Sequence, residues 1–174
     1  WLGAPNSIKG ATEAVFHRQS GSNLLIVGQR PEATQSILAV SLIALAAQYP
    51  PGKARLIVID SSAPGSPERE HLDAVVRMLP QEVTVARGNE VEEQFRQLGQ
   101  DLQKRTEDSE GLEVPETFVF IMDLQKHKRL RDEEDFSFST DDSAPANPGK
   151  IFDRLIVQVP SVGIHLIAIC DTFN

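Results

Sequence analysis

The chain has 174 residues, 40% of them hydrophobic and 24% charged, with a formal charge of −8 and a sequence pI near 5.0. That size and apolar content suit one globular domain with a single core, and the acidic balance excludes a surface built to neutralise many phosphates, so direct DNA contact by this domain is not expected. A lone cysteine, Cys170, excludes an internal disulfide and a multi-cysteine metal site, and its use points to a reducing, cytoplasmic compartment.

The chain opens on Trp1 with no basic-then-apolar signal segment, and it reads as a single domain, residues 1 to 174, excised from a longer multidomain protein. Leu24 to Val27 is a short apolar run of the kind that forms a buried strand. Pro31 to Gln48 follows as a helix with proline at its first turn. Its most apolar stretch, Ile37 to Ala47, is about half the roughly 20 residues that a membrane span needs. It reads as a core helix, and no membrane contact is expected. Arg55 to Ile59 predicts a second strand, Ser66 to Leu79 a helix, Glu82 to Val85 a third strand and Asn89 to Lys104 another helix. Residues 105 to 116 are polar enough for a surface loop before a fourth strand, Phe118 to Met122. Asp132 to Pro148 holds Asp132, Glu133, Glu134, Asp135, Asp141 and Asp142 and reads as a long solvated loop. A helix over roughly Pro148 to Val159 and a fifth strand, His165 to Ile169, close the chain. Hydrophobic strands alternating with helices predict a doubly wound α/β domain, its mainly parallel five-stranded sheet covered on both faces.

The junction of the first strand and first helix is where a nucleotide-binding loop would sit. A working loop, Gly-x-x-x-x-Gly-Lys-Ser/Thr, needs its second glycine for close backbone approach, its lysine for the β- and γ-phosphates and its hydroxyl for magnesium. Counted from Gly28, those positions hold Ala33, Thr34 and Gln35. A helix start still offers unpaired N–H groups and the positive end of its dipole, so Gly28, Gln29, Arg30, Thr34, Gln35 and Ser36 are the candidate nucleotide-contacting residues. Pro31 removes one donor and Glu32 adds a repelling carboxylate, and plain helix entry is the competing reading. On the same rim Asp60 and Asp123 end predicted strands, either as weak magnesium ligands or as the ordinary aspartates that open turns.

His17, His71, His127 and His165 have no metal-ligand spacing, and no metal site is assigned. Lys126, Lys128, Arg129 and Arg131 form a basic patch that reads as a solvated face with local charge pairing, because Asp132 to Asp135 follows at once. Strand alternation puts His165 and Cys170 on opposite faces, which excludes a Cys-His nucleophilic pair.

The order of these parts, together with Leu24-Leu25-Ile26-Val27-Gly28 and Ser161-Val162-Gly163-Ile164-His165-Leu166, resembles the motor domain of the FtsK/SpoIIIE family of DNA translocases and their relatives in type VII secretion. The resemblance covers roughly residues 14 to 174. It implies a RecA-like P-loop core, ATP with magnesium as the family's ligand, and sister ATPase domains of the same chain or ring as partners. In that frame the Walker A glycine, lysine and serine fall on Ala33, Thr34 and Gln35. The Walker B strand, Val119-Phe120-Ile121-Met122-Asp123-Leu124, keeps Asp123 as the magnesium-side acid but has Leu124 at the general-base position. Cys170-Asp171 stands where the family usually has a Thr-Gln sensor. Three catalytic parts lost together imply a degenerate, non-hydrolysing module of a DNA or protein translocase, with no catalytic residue and no certain cofactor, that serves assembly, regulation or partner binding. Two alternatives stay open. One is a motor domain completed by a neighbouring domain or subunit, with Arg30 or Lys126 to Arg131 as donors. The other is an interaction module that captures a peptide in the vacant cleft or on the loop Asp132 to Pro148.

Overall fold

The computed structural model describes residues 1–6, 8, 10–107, 114–130, 148–157 and 159–172. Five strands, Leu24–Val27 (β1), Ala54–Ile59 (β2), Val83–Ala86 (β3), Glu116–Ile121 (β4) and Ile164–Cys170 (β5), pair in parallel throughout, in the order β1-β5-β4-β2-β3. Helices Pro31–Gln48 (α1) and Pro67–Met78 (α2) pack on one face, and Glu90–Glu107 (α3) and Pro148–Val157 (α4) on the other. The domain is therefore doubly wound α/β, consistent with a RecA-like core.

The central strands are apolar on both faces because each face carries its own core. Phe118 and Phe120 of β4 point to α1 and α2 and meet Leu38, Leu42 and Leu72, whereas Val119 and Ile121 point the other way, to Phe95, Leu98 and Leu155. Each side chain of this size contributes about 1.5–3 kcal/mol on full burial. The edge strand β1 alternates instead, with Leu25 and Val27 about half exposed.

Local signals account for the helix starts. Pro31 and Pro67 occupy first turns, where a missing N–H costs nothing, and the Ser66 hydroxyl accepts the Arg69 N–H at 3.3 Å. The third helix departs from expectation: it runs to Glu107, taking in residues expected to begin a surface loop. The cause is Arg105, which is turned inward and 7% exposed. Its guanidinium donates to Asp101, to Thr117 Oγ1 at 2.8 Å and to the carbonyls of Val162 and Gly163 at 3.2 and 3.1 Å, clamping α3 to the lower ends of β4 and β5. The fourth strand starts early, at Glu116, because Ala54 of β2 pairs with it.

At the same lower end, buried His165 stacks on Phe118. Its Nδ1 lies 3.0 Å from the Ser22 carbonyl and its Nε2 3.3 Å from Glu116 Oε2, and Glu116 also accepts from Arg18 at 2.6 Å. His165 is thus a structural residue that ties the segment before β1 to the sheet. Among the described residues no helix is long and apolar enough to cross a membrane. Of the acidic loop, residues 132–147 lie outside the described residues.

Candidate functional site

Ligands in open α/β sheets sit beyond the carboxyl ends of the strands, where neighbouring strands send their chains to opposite faces. Here those neighbours are β2, which leads to α2, and β4, which leads through the short 3-10 turns Leu124–Lys126 and Lys128–Leu130 to α4 on the far face. Asp60 follows β2 and Asp123 follows β4, so the two aspartates picked out in the sequence do meet on one rim.

The β1–α1 junction is not an open phosphate loop. Only Gly28, Gln29 and Arg30 separate strand from helix, and positions 31 to 36 already lie in α1. The Ala33 and Thr34 N–H groups both donate to the Arg30 carbonyl at 3.1 Å, and Pro31 has no N–H to give. The Thr34 hydroxyl donates back to the Pro31 carbonyl at 2.9 Å and the Ser36 hydroxyl to the Glu32 carbonyl at 2.7 Å. A cavity of about 320 Å³ brings Gly28, Gln29, Thr34 and Gln35 together with Asp60, Asp123 and Lys126, whereas Arg30 and Ser36 do not line it. Gln35 Oε1 is buried there without a hydrogen-bond partner.

Both rim carboxylates are engaged. Asp60, 4% exposed, accepts from Arg87 Nε at 2.6 Å, from the Ser62 N–H at 2.9 Å and from the Ser62 hydroxyl at 2.8 Å. Burial pushes its carboxyl up, but these donors, Arg87 foremost, outweigh it and hold the group below the usual carboxylate range. Arg87 also reaches Asp73 of α2 at 2.7 Å. Asp123 Oδ2 accepts from Lys126 Nζ at 2.7 Å and from the Ser61 hydroxyl at 2.8 Å. Burial again opposes ionisation, and again the donors, led by Lys126, prevail and lower the pKa. Asp123 is the one non-glycine described residue with positive φ, at φ 52 and ψ 55. A closed helix start and a lysine-paired Asp123 do not fit a magnesium–triphosphate cradle. Among the described residues no group of three or more His, Cys, Asp or Glu could hold a metal ion.

On the β3 side of Asp60 lies a larger cavity, about 870 Å³, which sequence reasoning missed. Arg69 of α2, Arg87, Lys126 and Lys128 line it with His127, above Val91, Phe95 and Leu130. Burial lowers the His127 pKa, and its ring Nε2 lies 3.1 Å from the Met122 carbonyl. The expected charge pairing within the basic patch is met by Lys126 with Asp123; Lys128 has no ion-pair partner among the described residues. Arg87 carries no local sequence signal, because its role depends on strand order: Ile59 pairs with Ala86, so Asp60 and Arg87 leave neighbouring strands at one level. No family model, curated protein or solved structure matches the chain.

Proposed function

We propose that the chain is a non-hydrolysing module built on a nucleotide-hydrolase-like core, a degenerate counterpart of FtsK/SpoIIIE-type motor domains, serving assembly, regulation or partner binding in a larger ATP-driven translocase. The observation that carries this reading is the three-residue link from β1 to α1. Backbone N–H groups that already donate to the Arg30 carbonyl are withdrawn from phosphate, and Ala33, Thr34 and Gln35 supply neither the lysine nor the hydroxyl that triphosphate and magnesium need. Sister domains of the same ring are the partners this reading names.

The test is thermal unfolding of the chain with Mg-ATP. Ligand at 100 times its dissociation constant adds about 2.7 kcal/mol, a rise of roughly 5 to 10 °C at this size. No shift at millimolar Mg-ATP is expected. A saturable rise abolished by Arg30→Ala would overturn the reading. It would favour instead a motor domain completed in the ring, for which exposed Arg30, without a side-chain capping bond, is the outward-facing cation.

A further inference from the structure

We propose that the larger cavity, between α2, the β3–α3 turn and the turns after β4, is a binding site for a phosphomonoester carried on an apolar or aromatic body. The inference is independent of the phosphate-loop position, since Gly28, Thr34 and Gln35 line the other, smaller cavity.

Charge selects the anion. In a chain of net charge −8, four cationic side chains from three segments, α2, the turn after β3 and the turns after β4, converge on this one cleft, against Asp60 and Glu92. Two of the four are already committed, Arg87 to Asp60 and Asp73, and Lys126 to Asp123. Arg69 and Lys128 have no ion-pair partner among the described residues, and against Glu92 they leave a net positive charge that an anion such as a phosphomonoester would meet. Arg supplies a planar fork of donors and Lys a mobile point charge, a combination suited to a tetrahedral oxyanion. Ser62 and Asn89 line the same wall as neutral polar groups.

Shape selects the rest of the ligand. Inorganic phosphate would leave most of about 870 Å³ unfilled, whereas the volume falls within the range of small-molecule sites. Val91 and Leu130, backed by the buried ring of Phe95, supply an apolar floor for a ring or chain. The cleft also lies at the switch point, beside β2 and β4, where α/β sheets hold ligands.

The experiment is calorimetric titration of the full chain at low salt with phenyl phosphate and with inorganic phosphate, followed by amide chemical shifts. The expected result is saturable phenyl phosphate binding at about 1 mM or below, weaker binding of inorganic phosphate, and shifts at Gly88, Asn89 and Val91. Arg69→Ala with Lys128→Ala is expected to weaken binding by about a hundredfold or more, because two charged hydrogen bonds to the anion are lost. Arg69→Lys with native Lys128 is expected to retain part of it. Arg30→Ala is expected to leave it unchanged. No saturable binding, equal affinity in the double variant, or loss on Arg30→Ala would each overturn the proposal. Phenyl phosphate binding alongside a null result for Mg-ATP at the β1–α1 junction would support both readings, and the two variant sets separate their failures.

Discussion

The Ser61 hydroxyl donates to Asp123 Oδ2 at 2.8 Å, joining the turn after β2 to the turn after β4 across the switch point of the sheet. Lys126 donates to the same oxygen at 2.7 Å, and the aspartate holds left-handed backbone while doing so. Ser61→Ala is expected to lower stability by about 1 kcal/mol, the net worth of one partly buried hydrogen bond. Asp123→Asn, which tolerates the same backbone, is expected to cost a similar amount, because exposed Lys126 adds little. Urea denaturation of the two variants and their double variant checks this. Full additivity would show that the two groups do not act through one bond.

Arg87→Ala is expected to be the most damaging single change at the rim. It leaves the Asp60 carboxylate buried without its cation, which costs about 3 kcal/mol or more. Adding Asp60→Asn to that variant should recover part of the loss by removing the stranded charge. The urea midpoint at unchanged slope reads the difference. A double variant no better than Arg87→Ala would refute the account.

Stability should fall in two steps on acidification. Asp60, Glu116 and Asp123 all have depressed folded pKa values. Their contribution is present above the unfolded values near 4 and is lost as pH falls through the lower folded ones. His127 is depressed too, but it is a base, so the unfolded chain takes up its proton first and stability declines as pH drops below about 6.5. His127→Gln should flatten the upper step and leave the lower one. Denaturant midpoints from pH 8 to 3 measure both.

Restoring the motif letters should not restore the site. Ala33→Gly with Thr34→Lys and Gln35→Ser rebuilds the lysine and hydroxyl, but these positions lie in α1 and their backbone is committed to it. The triple variant is expected to show no thermal shift with Mg-ATP and to lose about 1 kcal/mol from glycine in the helix. A Mg-ATP-dependent rise would show that α1 unwinds its first turn to admit phosphate.

Glycines 65 and 163 have nearly the same positive φ, 74 and 76, but different surroundings. A Cβ at Gly65 meets open space, whereas one at Gly163 would lie 2.8 Å from Glu116 Oε2 and 3.0 Å from Arg18 Nε. Both Ala substitutions carry about 1–2 kcal/mol of left-handed strain, and Gly163→Ala should cost more because it also pushes apart the Arg18–Glu116 pair beside His165. Equal losses would show that the pair yields freely.

The extents of β1 and α1 were legible residue by residue, because a four-residue apolar run and a proline-led helix carry their own signals. The end of α3 was not: Arg105 looks like a surface residue until its partners Thr117, Val162 and Gly163 are gathered from β4 and the approach to β5. Asp60 and Asp123 could be placed at strand ends from local pattern alone. Their pairing with Arg87 and Ser61 depends on which strands are neighbours, and no local pattern encodes that order. At the β1–α1 junction two local readings competed, a worn phosphate loop and a helix opening on Pro31. Proline prevailed in the backbone, and Ser36 went to the outer side of the turn.

The order β1-β5-β4-β2-β3 inserts the last strand between the first and the fourth. The Asn23 side chain accepts the Leu166 N–H across 143 residues of chain, and every ladder bond that β1 makes is to β5. During synthesis on a ribosome, β2, β3 and β4 can therefore assemble while β1 waits with both edges bare. Completion depends on the arrival of residues 164–170, so a chain that lacks them leaves β1 as an unpaired apolar strand, the kind of edge that favours aggregation.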